Sequence, residues 1–229
     1  MRLGLLLPLT AEAKAFGATV QPGQLQDFGR HLLILSGMGQ AAARMAGQQL
    51  VRAGVDALLS VGTAGALHAG LHPGDLCLPT TVLWRGQPYA VDLPLQECLQ
   101  GLGIAIAGAA ETLWSSERPL GDPQEKKALA AYGALVDMES GALAAVAQAA
   151  GLPLGVARVI VDTVDTPLPS CLQGRSIDPW GRPRWQFLLP HLVRHPQELP
   201  ALLQLGRQMS LAQQTLANLG QFLQTRGCV

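Results

Sequence analysis

Charge is scarce in this chain. Only 14% of its 229 residues are charged, and 16 Lys+Arg against 16 Asp+Glu leave no formal net charge. A nucleic-acid binder needs a basic face to neutralise phosphates, so nucleic acid is excluded as a partner and a small neutral ligand fits better. Cysteine is also sparse: Cys77, Cys98, Cys171 and Cys228 are scattered with no CxxC or other ligand spacing, as in a cytosolic protein with reduced thiols. Long apolar runs are missing, because Pro8 and the polar residues 10–14 cut off the first apolar stretch. That stretch is too short for a signal peptide or a membrane span, so a cytoplasmic location is expected. No GxSxG, HExxH or phosphate-binding loop occurs. His68 and His72 flank Gly70 and precede Pro73, so a helix would not hold both on one face, and no metal is expected.

Short apolar runs alternate with helical patterns. Residues 3–7, 32–35, 57–61, 75–83, 104–107 and 154–161 read as strands, several of them continuously apolar. Residues 41–53, 123–131 and 138–150 read as helices, the first stopped by Gly54. Such alternation predicts one α/β domain around a largely parallel central sheet buried on both faces. Residues 166–184 are rich in Pro, Gly and polar side chains and read as a long loop. A long helix over about 197–224 follows, with Leu202, Leu205, Met209, Ala212, Leu216, Leu219 and Leu223 on one stripe, a pattern that packs against a core. The whole of 1–229 is one domain.

Carboxylates then stand out at the edges of apolar elements, where they are costly without a partner or a role. In Val136-Asp137-Met138-Glu139-Ser140, Asp137 suits a helix N-cap and Glu139 gains from the helix dipole. Glu139 is equally able to accept two hydrogen bonds from the vicinal hydroxyls of a ribose. Asp162 ends an apolar strand and Asp165 follows it; one can cap a turn while the other serves as a general acid. Glu12, taken alone, is a surface charge. Gly37-Met38-Gly39-Gln40-Ala41-Ala42 matches a variant dinucleotide fingerprint, but no acidic residue ends the next strand, which favours a tight turn close to a ligand. Gly62-Thr63-Ala64-Gly65-Ala66 offers free backbone and a hydroxyl at a neighbouring strand end, so the two loops converge on a shared crevice.

These segments, with residues 1–16 and Arg158-Val159-Ile160-Val161-Asp162, resemble the nucleoside phosphorylase and nucleosidase superfamily over roughly the first 165 residues. The resemblance is to its 5′-methylthioadenosine/S-adenosylhomocysteine nucleosidase branch. In the tail, residues 162–169, Asp178-Pro179-Trp180-Gly181-Arg182 and residues 195–203 resemble the hopanoid-associated nucleosidase/phosphorylase subgroup, thought to remove adenine from adenosylhopane.

The resemblance implies a single-domain fold with a central mixed sheet flanked by helices and N-glycosidic cleavage without cofactor. It implies Glu12 as the base that activates water and Asp162 as the acid that protonates adenine. It places Met138 and Glu139 at the ribose, Thr63 and Gly65 beside the sugar, and Leu120 at the base. Related phosphorylases carry an Arg where Ser60 stands, so water is the expected nucleophile, with Arg158 left as a residue able to contact phosphate. A homo-oligomer and peripheral membrane contact for a lipid nucleoside also follow from the resemblance. Two enzymatic alternatives stay open, methylthioadenosine/S-adenosylhomocysteine or futalosine hydrolysis and phosphorolysis, beside a non-enzymatic nucleoside- or dinucleotide-binding module.

Overall fold

In the computed structural model, residues 1–101, 111–173 and 175–225 are described. The chain opens with β1 (Leu3–Leu7), α1 (Thr10–Ala15), β2 (Leu25–Phe28), β3 (His31–Leu35), α2 (Gln40–Arg52) and β4 (Ala57–Ala66). It continues through β5 (Leu76–Cys77), β6 (Thr81–Trp84), β7 (Gln87–Ala90), α3 (Leu93–Gln100), β8 (Thr112–Ser115) and α4 (Pro123–Leu129). β9 (Leu135–Asp137), α5 (Ser140–Ala150), β10 (Leu154–Asp162), α6 (Trp185–Arg194) and α7 (Leu199–Thr225) complete it.

The sheet is mixed, as expected. Its order is β2-β3-β1-β4-β9-β8-β6-β7, with β10 pairing both β4 and β5. β1, β3, β4 and β10 run parallel, whereas β9 pairs antiparallel with the far end of β4 at Gly65 and Ala66. Alternation along the central strands loads both faces. Leu6, Ile34, Leu58, Val156 and Ile160 meet α2 and α5 on one side. Leu5, Leu7, Leu33, Leu59 and Val159 meet α1, α3 and α7 on the other. The central strands are therefore largely apolar, with Ser60 and Arg158 as mid-strand polar exceptions on β4 and β10 and Asp137 and Asp162 at the ends of β9 and β10.

Several boundaries differ from the sequence expectations. Residues 75–83 form two strands rather than one: Pro79 separates β5, which pairs β10, from β6, which pairs β7 and β8. The helix expected from 138 starts at Ser140, leaving Met138 and Glu139 just ahead of it. The 166–184 loop contains a 3-10 turn, Ser170–Gln173, and α6 follows it with Pro190 inside. The strand expected at 104–107 lies outside the described residues. Cys98 is disulfide-bonded, against the expectation of a reduced thiol, because scattered spacing carries no information about which sulfurs meet. Cys77 and Cys171 are buried free thiols.

α7 packs along its stripe: Ala212, Leu216, Leu219 and Leu223 are buried and Leu202, Leu205 and Met209 half-buried, whereas Leu199, Leu203 and Leu211, off the stripe, are exposed. Close docking of its second half depends on Gly220, where an added Cβ would collide with the Phe16 carbonyl at the end of α1. Gly220→Ala should therefore destabilise by about 1–3 kcal/mol. Gly206, with open space around it, should gain up to about 1 kcal/mol as Ala from helix propensity alone. Thermal unfolding of the two variants checks the contrast, and equal shifts would contradict the docking geometry.

Candidate active site

All the residues expected at the site, Glu12, Thr63, Gly65, Leu120, Met138, Glu139 and Asp162, line one cavity of about 150 Å³. It opens where β1, β4, β9 and β10 end.

Glu12 lies at the third position of α1, and its Oε2 reaches back to accept the Leu9 amide at 3.0 Å, one half of a capping box. Its Oε1 accepts from the Thr63 amide and from Thr63 Oγ1, both at 2.7 Å. A carboxylate offers about four lone-pair sites. Three are taken, so one remains for a water or substrate hydroxyl. The surface-charge reading of Glu12 fails, since the residue is 1% exposed. Burial raises its pKa above the ordinary value against the opposing pull of Arg158 and the Thr63 hydrogen bonds.

Asp162 reaches the cavity through a β-bulge. β10 pairs Ile160 with Ala64 and then Asp162 with Gly65, skipping Val161, and such an insertion re-aims a side chain. The carboxylate lies against Gly65, where a Cβ would come within 3.2 Å of Oδ2. That close approach is why the loop has glycine there. Burial raises the pKa of Asp162, and Lys126 opposes the rise. Asp165, the other candidate acid, instead pairs with Lys127 at 2.6 Å on the surface.

Glu139 is gripped from the opposite wall. Its Oε1 accepts the Gly39 amide at 2.8 Å, and Oε2 takes a longer bond from Met138 N at 3.3 Å. Gly39 has φ +92°, a backbone suited to glycine. Its amide is therefore directed at Glu139. Burial and the neighbouring Asp137 push the Glu139 carboxyl up to about 7, with Arg158 pulling the other way. Asp137 is not the N-cap expected of it: it ends β9, Glu139 holds the N-cap position of α5, and Asp137 Oδ2 accepts the amide of the first helical residue, Ser140, at 3.0 Å.

Two buried cations complete the site, and sequence reasoning missed the place of both. Arg158 is fully buried, and its Nη2 contacts Asp137 at 2.5 Å, Ser60 Oγ at 2.8 Å, Ser140 Oγ at 3.1 Å and Glu139 at 3.8 Å. It stands behind the carboxylates and is not among the cavity-lining residues. Lys126 of α4 is 1% exposed. Its ammonium pairs with Asp162 and donates to the carbonyls of Thr163 and Thr166 at 3.0 and 3.2 Å. An ammonium has three donors, and all are used. Four buried carboxylates, Glu12, Asp137, Glu139 and Asp162, all lining the cavity, thus face two cations. A carboxylate in such a cavity suits a group on which positive charge develops.

The Asp178–Arg182 turn closes the rim. Asp178 Oδ1 accepts the amides of Trp180 and Arg182 at 2.9 and 2.8 Å. The turn docks through Met38 N to Pro179 O at 2.8 Å and Thr10 N to Trp180 O at 3.0 Å.

A mixed sheet between two helical layers, with acidic groups gathered at the strand ends, defines an α/β ligand-cleft protein. A family model for the phosphorylase superfamily matches residues 17–170, more than half of the chain, and the chain belongs to that superfamily. It is similar to the 5′-methylthioadenosine/S-adenosylhomocysteine nucleosidase of Neisseria meningitidis in complex with methylthio-immucillin-A, at 18% identity and TM-score 0.69, over 98% of this chain and 99% of that one. The corresponding nucleosidase of Helicobacter pylori gives 16% identity and TM-score 0.71, over 96% and 95% of the two chains. The futalosine hydrolase of Helicobacter pylori gives 16% and 0.69 over the same shares. These likenesses establish a shared fold. No curated protein matches the chain.

The raised Glu139 carboxyl has a consequence for stability. Between the ordinary value of 4.5 and about 7, the folded chain holds a proton here that the unfolded chain has released. The contribution of this group to stability is thus full below pH 4.5 and is lost as pH rises through 7. Glu139→Gln removes the titration, so its melting temperature should gain on the wild type as pH goes from 5 to 8. A constant difference across that range would contradict the assignment.

Proposed function

We propose that the protein hydrolyses the N-glycosidic bond of a 5′-modified adenosine and releases adenine. The observation that carries the reading is the pair of unlike carboxylates in one cavity: Glu12, with one acceptor site open, and Asp162, raised by burial. Carboxylates held in different environments divide the base and acid roles between them. Glu12 takes a proton from water as its oxygen bonds the anomeric carbon. The bond from that carbon to adenine N9 breaks, and Asp162 gives its proton to N7. Glu139 accepts the ribose hydroxyls, with Met138 and Thr63 beside the sugar and Leu120 beside the base. Water is favoured over phosphate because Ser60 stands where related phosphorylases carry an anion-binding Arg. Arg158, the expected phosphate contact, is committed to Asp137 behind the cavity wall.

Within this reading, adenosylhopane is the proposed substrate. The Asp178–Arg182 turn, one of the three tail segments that suggested it, docks at the cleft rim. Beyond it Trp185, Phe187, Leu189 and Val193 are exposed on α6 near Arg182, Arg184 and Arg194, a combination suited to apolar chains under polar head groups. Of the residues that core packing would have absorbed, only Leu188 is buried within α6. No helix among the described residues is long and apolar enough to cross a membrane, so the proposed contact is peripheral.

Asp162→Asn and Glu12→Gln should each lower adenine release by about 100-fold or more while the protein stays folded. In Glu12→Gln one amide is left facing a donor, a cost of about 1–3 kcal/mol that the fold can absorb. Wild-type-like turnover in a folded variant removes that residue from the mechanism, and ribosyl 1-phosphate as the first product replaces hydrolysis by phosphorolysis.

The substrate is tested by offering methylthioadenosine and detergent-solubilised adenosylhopane in parallel. Faster cleavage of adenosylhopane is expected. Efficient cleavage of methylthioadenosine with adenosylhopane untouched would leave only the general nucleosidase reading.

A further inference from the structure

Away from the cleft, three elements bring unlike donor groups together. Cys171 sits in the turn Ser170–Gln173, His191 in the last turn of α6, and Glu198 at the end of the turn Pro196–Glu198. One ligand atom from each, sulfur, imidazole nitrogen and carboxylate oxygen, lies within 4.8 Å of both others. His191 Nε2 is 3.2 Å from Glu198 Oε2 and 3.4 Å from Ser170 Oγ. Glu198 is itself held in place, Oε1 by Ser170 Oγ at 2.6 Å and Oε2 by the Cys171 amide at 3.3 Å. Cys171 is 2% exposed. None of the three lines the cleft.

A Cys-His-Glu relay would use the two imidazole nitrogens in turn, one toward the sulfur and one toward the carboxylate. Here Nε2 faces Glu198, and the sulfur lies near the carboxylate as well as the imidazole, so the groups converge on one point. A hydrogen-bond network holds Ser170, His191 and Glu198, with the Cys171 thiol also donating to Glu198, and it gathers sulfur, imidazole and carboxylate donors around one point. Without a cation, burial and Glu198 push the thiol up to about 11, so it stays protonated.

We propose that Cys171, His191 and Glu198 bind a zinc-class divalent cation. Thiolate with imidazole selects zinc or cobalt over magnesium or calcium, and three protein ligands leave a fourth tetrahedral position for water. Metal–ligand bonds of about 2.0–2.3 Å would set ligand separations of roughly 3.3–3.8 Å, so the donors need to close by about 1 Å. The thiol proton is released to solvent as the sulfur–metal bond forms. The ion would tie the chain just past Leu168, a cleft-lining residue, to the start of α7. It would act by holding that wall, without touching the substrate.

Metal-stripped full-length protein titrated with cobalt(II) tests this directly and needs no activity assay. The expected result is a thiolate-to-cobalt charge-transfer band, the visible bands of four-coordinate cobalt, displacement of both by zinc, and a higher melting temperature with either ion. Cys171→Ser should lose the charge-transfer band and weaken zinc binding by more than about 100-fold, beyond the usual cost of altering a supporting residue. His191→Ala, at a part-exposed position, gives a second variant should Cys171→Ser fail to fold, and it should weaken zinc comparably. A folded wild type without the band, a band that survives in folded Cys171→Ser, or unchanged zinc affinity in His191→Ala would overturn the site.

Discussion

The buried guanidinium of Arg158 is the interaction on which the cleft depends. Asp137 and Glu139 lie on β9 and the turn into α5, and Glu12 lies on α1, yet all of them are oriented around one cation on the central strand β10. Gly62 leaves room for it, since a side chain there would meet both Arg158 Nη1 and the Glu12 carboxylate. Removing one partner from a buried ion pair strands the other in low dielectric, at about 3–5 kcal/mol. The network therefore couples folding to function: the acids that give the cavity its chemistry are stable in place only because the sheet carries a countercharge beneath them.

The two ends of the cleft are tuned by different means. On one side, Glu12 and Glu139 share the attraction of Arg158 and are held mainly by backbone amides and a hydroxyl. On the other, Asp162 has a private ammonium whose remaining protons are bound to carbonyls. Burial raises both Glu12 and Asp162. Their difference lies in which hydrogen bonds each can still make, the distinction on which the proposed base and acid roles rest.

Much of this was legible in the sequence because the relevant residues stand at the ends of apolar strands. Continuous runs such as residues 3–7 and 154–161 predicted buried strands, and the carboxylates at their edges marked the cavity. What stayed hidden depends on direction in space. Lys126 and Lys127 are adjacent in an ordinary polar helix, and only the placement of α4 turns one inward to Asp162 and leaves the other on the surface. Arg158 was visible as a charge in an apolar strand, but its commitment to Asp137 required knowing that β9 crosses the end of β4. Cys171, His191 and Glu198 are spread across 28 positions, so no spacing pattern joins them. Pro190, a usual helix breaker, masked α6, and Pro79 divides a stretch whose apolar pattern reads as continuous.

The bulge at Val161 bears on how this chain can vary. Substitutions along β10 change packing locally, as in any buried strand. A gain or loss of one residue between Ile160 and Asp162 would do something different: it would convert the offset pairing into a regular one and turn the carboxylate away from Gly65, with the hydrophobic layers still filled. Drift in length at this point would thus yield folded but silent descendants, whereas drift in side-chain identity elsewhere on the strand would yield less stable but chemically intact ones.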